Sequence, residues 1–335
     1  MRYRFLHKGM VFSAIVGIVF ILLWSTHIEF ASAQTETPPT YPPLSGIVAI
    51  SAESTGQTCA VTESGGVECW GNVSTGAKDI LKISEAVAIA GGGQHSCVIT
   101  RSGGVQCWGA NFYGELGDGT TEATESSQWT AVEVKGLPDE VTALAAGFSF
   151  TCAVITGEVW CWGANDYGQL GNGTTTNRSI PEKVDGLTGE ITAITAGASH
   201  ACALNTSGGV QCWGGNIGSM LGNSAIDTPS TPIPISGLAS GVTMITSRTT
   251  HTCALTNNGE VSCWGENVSG QLGNGETSWA SDAPVQVIGL PENVSAISTG
   301  VNHTCAMTST GQVLCWGDNR AGELGDGSNI DRLTP

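Results

Sequence analysis

From Val48 onward the chain reads as short runs in which apolar residues fall at every second position, broken by clusters of Gly, Asn and Pro. A period of two between turn formers predicts strands, and no stretch after residue 33 shows the 3.6-residue period of an amphipathic helix. In one unit the expected strands are Pro181-Glu182-Lys183-Val184, Ile191-Thr192-Ala193-Ile194, His200-Ala201-Cys202-Ala203-Leu204 and Gly209-Val210-Gln211-Cys212-Trp213-Gly214.

The last two of these strands are bracketed by cysteines, and the same hairpin occurs six times: Cys59/Cys69, Cys97/Cys107, Cys152/Cys161, Cys202/Cys212, Cys253/Cys263 and Cys305/Cys315. All twelve cysteines are used. Five pairs enclose nine residues whose central triplet ends in Gly65, Gly103, Gly208, Gly259 or Gly311. A three-residue hairpin loop with a bulge needs a left-handed residue there. The pair Cys152/Cys161 is one residue shorter and centres on Thr156-Gly157, which suits a two-residue turn, so its cysteines still face each other. We therefore expect six cross-strand disulfides, each removing roughly 2.5–3 kcal/mol of unfolded-chain entropy in the loop-closure model. Successive first cysteines lie 38, 55, 50, 51 and 52 residues apart. A period near fifty built from four short antiparallel strands predicts an all-β fold, a propeller of four-stranded blades.

The units also carry Gly-x-x-His-Thr-Cys-Ala-Leu-Thr and then Cys-Trp-Gly-x-Asn-x-x-Gly-Gln-Leu-Gly-x-Gly, whose second half stands at Trp162 to Gly173, Trp264 to Gly275 and, with Glu323 for Gln, Trp316 to Gly327. This pattern resembles the repeat of the RCC1 (regulator of chromosome condensation 1) family. The resemblance covers nearly all of the chain after about residue 43 and implies an RCC1-like β-propeller, which in that family usually has seven blades. Here six units are visible and the first lacks the Gln-Leu-Gly segment; a cysteine pair in every unit is a further departure from the nuclear members. The chain stops at Leu333-Thr334-Pro335, where earlier units enter a strand, and Tyr41 to Gly46 followed by Val48-Ala49-Ile50 matches the early part of a unit. The two ends are thus expected to share a blade and close a ring of six, or one of seven blades is degenerate or cut off.

Residues 1–33 account for the cysteines. Arg2, Arg4 and Lys8 precede the apolar run Met10 to Trp24, and Ala31-Ser32-Ala33 offers a cleavage site, as in a secretory signal peptide. The run is short of the roughly twenty residues of a membrane span, so no stable membrane insertion is expected after cleavage. Residues 34–43 read as a Pro-rich extended linker, and residues 44–335 as the propeller. A secreted or cell-surface location is oxidising, where disulfides persist. Loss of the leader leaves 9 Lys+Arg against 28 Asp+Glu, a net charge of −19. That surface repels phosphate backbones, so no nucleic-acid partner is expected.

Candidate chemistry is sparse. His95, His200, His251 and His303 each stand two residues before a cysteine, but Gln57 and Phe150 hold the same place in the other units. Zinc sites use closely spaced Cys-x-x-Cys pairs, so these histidines are read as hydrogen-bonded within their blades and no metal is expected. Asp118-Gly119 and Asp326-Gly327 lack the calcium-loop spacing and mark turns. The Trp after the second Cys of each pair points away from that Cys and is expected to fill the gap between blades. No nucleophile elbow, metalloprotease helix, phosphate loop or dinucleotide fingerprint occurs, and neither enzymatic activity nor a cofactor is expected. The residue types that point outward to a partner are Trp129 and Trp279 in polar connectors, joined by Phe112, Tyr113 and Tyr167 in the Asn-x-x-Gly turns; aromatic residues of this kind are enriched at interface hot spots. The expected function is recognition of a protein or extracellular glycan through variable loops. The alternative is regulation of a partner enzyme. The resemblance implies two forms of it: inhibition, as by a secreted bacterial relative that inhibits β-lactamase, or nucleotide exchange on a small GTPase, as by nuclear RCC1-like proteins.

Overall fold

The computed structural model describes residues 45–53, 56–71, 78–80, 83–122, 130–138, 140–223 and 228–335. The expected leader (1–33), the linker (34–43) and Trp129 lie outside the described residues. The described chain forms six antiparallel sheets in sequence. Blade one contains β1 (Ile47–Ala52), β2 (Gln57–Thr62), β3 (Val67–Gly71) and β4 (Lys78–Asp79). Blade two follows with β5 (Ala86–Gly91), β6 (His95–Thr100), β7 (Val105–Gly109) and β8 (Val132–Glu133). Blade three contains β9 (Val141–Ala146), β10 (Phe150–Ile155), β11 (Glu158–Gly163) and β12 (Arg178–Lys183). Blade four contains β13 (Ile191–Ala196), β14 (His200–Asn205), β15 (Val210–Gly214) and β16 (Ile233–Pro234). Blade five contains β17 (Val242–Ser247), β18 (His251–Thr256), β19 (Val261–Asn267) and β20 (Ser278–Gln286). Blade six has β21 (Val294–Thr299), β22 (His303–Thr308) and β23 (Val313–Gly317), with a single bridge from Gly317 to Arg332 in the fourth place. The first strands of successive blades contact one another, which makes them the innermost.

The hairpin turns follow from the residues that form them. Gly65, Gly103, Gly208, Gly259 and Gly311 all have φ between 80° and 86°. In the shortened hairpin Thr156 and Gly157 have φ of 46° and 81°, the pair of positive values a type I′ turn requires. Each first cysteine therefore stays in register with its mate on the next strand. Cys59 is bonded to Cys69, Cys97 to Cys107, Cys152 to Cys161, Cys202 to Cys212, Cys253 to Cys263 and Cys305 to Cys315, with Cα atoms 4.0–4.1 Å apart. No cysteine of the chain is left free.

The unit boundary differs from expectation by one strand. Pro181 to Val184 does not open a blade: β12 pairs back onto β11, Trp160 opposite Lys183, and so closes blade three. A period fixes the length of a repeat and leaves its phase open, and a strand flanked by loops on both sides pairs where its apolar residue is buried. Here Val184 is buried within the blade three to blade four core, and its N–H donates to the Val159 carbonyl at 2.9 Å.

Between blades the packing is the same from one junction to the next. In the core joining blades three and four, Cys152, Val154, Val159, Cys161 and Leu170 of one meet Ile191, Ile194, Ala203 and Trp213 of the other. Equivalent cores join blades one and two, two and three, four and five, and five and six. Trp108, Trp162, Trp213, Trp264 and Trp316 are each at most 1% exposed, wedged against the preceding blade as expected.

The recurring histidine does not bond within its blade. His95 Nε2 lies 2.8 Å from Thr151 Oγ1, His200 Nε2 2.9 Å from Thr252 Oγ1 and His251 Nε2 3.0 Å from Thr304 Oγ1, each on the next blade. A side chain leaves its strand roughly perpendicular to its own sheet, so in stacked blades it meets the face of the next one. Where blade three has Phe150 instead, blade four presents Ala201, and the two share the apolar core.

Candidate functional site: the tips of blades two to five

After its third strand each of blades two to six turns through a tip headed by Asn: Asn111, Asn165, Asn216, Asn267 and Asn319. The Asn side chain organises the tip. Its Oδ1 accepts the N–H of Leu116, Leu170, Leu221, Leu272 or Leu324 at 2.9–3.1 Å. Leu116, Leu170, Leu221 and Leu272 thereby plug into the interblade core, at most 1% exposed. The Glu or Gln just before the Leu folds back, so that Tyr113 N–H donates to Glu115 Oε2 at 2.8 Å and Tyr167 N–H to Gln169 Oε1 at 2.9 Å. The same residue's carbonyl accepts the indole N–H of the next blade, Trp162 to Glu115 O at 2.8 Å and Trp213 to Gln169 O at 2.9 Å. Gly171 has to be glycine there: φ is 67° and a Cβ would lie 2.7 Å from Trp213 Nε1. The Gln-Leu-Gly signature is thus the lock that ties each tip to its neighbour.

What the lock leaves outside is the two residues after the Asn. Phe112 is 65% exposed, Tyr113 and Tyr167 41% each, Ile217 60% and Val268 45%. Trp279, 71% exposed, joins them, because Ser278 pairs with Asn267 at the base of the blade five tip. In the same strand Asp282 accepts a hydrogen bond from Ser219 Oγ of the blade four tip. Of the residues expected to meet a partner, Phe112, Tyr113, Tyr167 and Trp279 therefore stand exposed at the tips of blades two, three and five. Ile217 and Val268 are an addition, and their register with Phe112 after the Asn was the available signal.

The cysteines stay out of this surface. Cys59 and Cys69 are buried in the core between blades one and two, Cys97 and Cys107 in that between two and three, and Cys253 and Cys263 in that between five and six. Their disulfides are structural staples beneath the tips, closed to any partner.

A second grouping sits at the axis. The position three residues before the histidine or Phe150 is Gly92, Gly147, Gly197 and Gly300 in four blades, and at Gly147 a Cβ would come within 2.0 Å of the Phe150 ring. Blade five has Arg248 in this place. Blade one is a residue longer here and has Glu53, whose N–H donates to the Gln57 carbonyl at 2.7 Å as that of Gly92 does to His95 at 2.8 Å. Arg248 Nη1 crosses to the Gly91 carbonyl of blade two at 3.2 Å, and Glu53 Oε1 accepts the Ser96 hydroxyl at 2.5 Å. Burial pushes the Glu53 carboxyl above its ordinary range, opposed by the Ser96 hydrogen bond and the Arg248 charge. Burial likewise lowers the Arg248 pKa, and Glu53 opposes it. Replacing Arg248 by Met should strand Glu53 and cost about 1–3 kcal/mol. A Glu53→Gln/Arg248→Met double variant should recover part of that in denaturant unfolding; strictly additive losses would show that the two charges do not communicate.

Six sheets in radial succession, with a buried tryptophan wedge in each of blades two to six and an Asn-headed tip in the same five, define a β-propeller of the RCC1 type. The RCC1-like domain model matches residues 75–335, and the chain belongs to that family. The ultraviolet-B receptor UVR8 of Arabidopsis thaliana is 34% identical over 210 residues, which are 61% of this chain and 48% of UVR8. The E3 ubiquitin-protein ligase HERC2 of Homo sapiens is 31% identical over 248 residues, 72% of this chain and 5% of HERC2. The chain thus spans half or less of these relatives. Among solved structures, human WBSCR16 superposes with a TM-score of 0.75 at 24% identity, covering 88% of this chain and 82% of that one. Prp20p of Saccharomyces cerevisiae gives 0.71 at 19% identity, covering 85% and 75%.

Proposed function

We propose that this chain is a secreted or cell-surface recognition propeller that binds a protein partner through the arc of Phe112, Tyr113, Tyr167, Ile217, Val268 and Trp279. The observation that carries this reading is the combination of exposed apolar side chains with tips locked by their own Asn and by the indole of the next blade. A rigid aromatic loses little conformational freedom on binding, so its buried area converts to affinity efficiently. Six disulfides support an oxidising location. Protein rather than glycan as partner is supported by one fold neighbour: Prp20p is described as binding Gsp1p and histones. Inhibition of an enzyme by capping its active-site mouth would use the same face.

Once a partner is captured by the full-length secreted protein and identified, replacing Trp279 or Tyr167 by Ala should weaken its binding by about 2 kcal/mol, roughly thirtyfold, at each true hot spot. The melting temperature should stay nearly unchanged, since neither ring is buried. Unaltered affinity in both variants, or capture of a glycan that competes with the protein, would overturn this assignment.

A further inference from the structure

Strands alternate in direction within a blade, so the hairpin turns and the loops between blades lie at the strand ends opposite the tips. There the loop entering blade two is one residue short. Each such loop starts with an N–H that donates to a third-strand Val carbonyl and ends at the next first strand. Val134 to Val141, Val184 to Ile191, Ile235 to Val242 and Val287 to Val294 hold eight residues each, and Ile80 to Ala86 holds seven. The deletion can be placed. Ile83 packs against the core joining blades one and two as Leu187 does against the next but one. The Glu85 carbonyl accepts the Arg101 N–H as that of Glu190 accepts the Thr206 N–H, both at 2.8 Å. Between these anchors Ser84 stands alone where blade four has Thr188-Gly189.

Thr188 has a task in blade four: its N–H and its hydroxyl both donate to Gln211 Oε1 at 2.8 Å. Gln106 holds the place of Gln211 in blade two, just before the second cysteine. With no Thr188 equivalent, its buried Oε1 finds no donor among the described residues. The missing residue also leaves room. A cleft of about 330 Å³ opens beside Gln106, between the loops entering and leaving blade two. Its walls include the Glu85 and Glu133 carboxylates and, on the apolar side, Leu137 and Pro138. Among the described residues that line it there is no Lys, no Arg and no aromatic ring, so it suits neither an anion nor a stacked sugar. An orphaned acceptor beside two carboxylates calls for a cation that only donates, and guanidinium and ammonium groups are of that kind. The apolar wall calls for an aliphatic stem, as long cationic side chains possess.

We propose that this cleft binds a guanidinium or ammonium group on a short aliphatic stem, with Gln106, Glu85 and Glu133 as its acceptors. A small free amine and an Arg or Lys side chain of a partner present the same head and stem. The site is at the opposite end of the blades from the aromatic tips and stands independently of their role.

The test is titration of the full chain with agmatine, followed by backbone amide chemical shifts. Shifts should gather on Gln106, Glu133 and their neighbours, while N-butylurea, a neutral group of similar shape, should leave them in place. Glu133 is exposed, so Glu133→Gln should keep the melting temperature and weaken agmatine binding about tenfold. Inserting a Thr between Ile83 and Ser84 restores the eight-residue loop; it should give Gln106 its donors, raise the melting temperature and abolish binding. A capped Ala-Arg-Ala peptide separates the two sources: tighter binding than agmatine assigns the cleft to a partner's side chain, weaker binding to a free amine. The proposal fails if millimolar agmatine moves none of these amides, if butylurea moves them equally, or if Glu133→Gln binds agmatine as the unaltered chain does. Uptake of agmatine by a Lys82→Ala chain alone would also overturn it, by showing that the chain's own lysine fills the cleft.

Discussion

Lowering the pH from 7 to 5 should strip roughly 6 kcal/mol from the folding stability, about 2 kcal/mol for each of three histidines. His95, His200 and His251 are at most 1% exposed, and desolvation holds their pKa at about 4, 4 and 3 respectively. Thr151 Oγ1 donates onward to the Glu115 carbonyl and Thr304 Oγ1 to the Gln271 carbonyl, so each hydroxyl accepts from the imidazole and the proton sits on Nε2. Among the described residues the buried Nδ1 of all three rings finds no hydrogen-bond partner. Below pH 6.5 the unfolded chain takes up protons that the native rings refuse. Stability is therefore complete above that value and declines as pH falls towards 4. Glu53 and Glu115, whose carboxyls burial pushes up, titrate with the opposite sign and offset part of the loss. Total stabilities of 5–15 kcal/mol are usual, so the effect is large enough to unfold the chain. Blade one has Gln57 at the histidine position, so a triple His→Gln variant is the control. Urea midpoints that are flat between pH 7 and 5, or an acid response unchanged in the triple variant, would contradict this account.

How far the structure could be read from the sequence depends on whether the information is local. A hairpin is local: the cysteine spacing, the five turn glycines and Thr156-Gly157 fix register and disulfides within about ten residues, and all six pairs form so. The outward aromatics were likewise legible, because Phe112, Tyr113 and Tyr167 occupy a turn whose inward positions are taken by Asn and Leu. The phase of the repeat was not, since Arg178–Lys183 could pair backward or forward and only the burial of Val184 decides. The partner of the histidine was hidden for a related reason. Alternation tells which face of a strand a side chain leaves from, and not which sheet it meets; the pairing of Phe150 with Ala201 in place of His with Thr was the available clue. The Arg248 contact with Gly91 lies 157 residues apart in the chain and no periodicity encodes it.

Trp213→Ala should be the most damaging single substitution in the middle of the arc, costing about 3–5 kcal/mol. The indole is fully buried between blades three and four and its N–H is satisfied by the Gln169 carbonyl, so truncation opens a cavity and leaves that carbonyl without its donor. Trp213→Phe should fall between, at about 1–3 kcal/mol, because a smaller ring remains while the hydrogen bond is lost. Trp70→Ala is the informative comparison. It removes the same residue from the same Cys-Trp-Gly signature, yet Trp70 is only half-buried and is not part of any buried core among the described residues. Its loss should cost well under half as much, because there is no packed cavity to create. Urea unfolding of the three variants at neutral pH, followed by fluorescence of the remaining tryptophans, reads the order directly. If Trp70→Ala proves as costly as Trp213→Ala, the wall of blade one is covered in solution. In that event the stability of the chain is that of a closed ring.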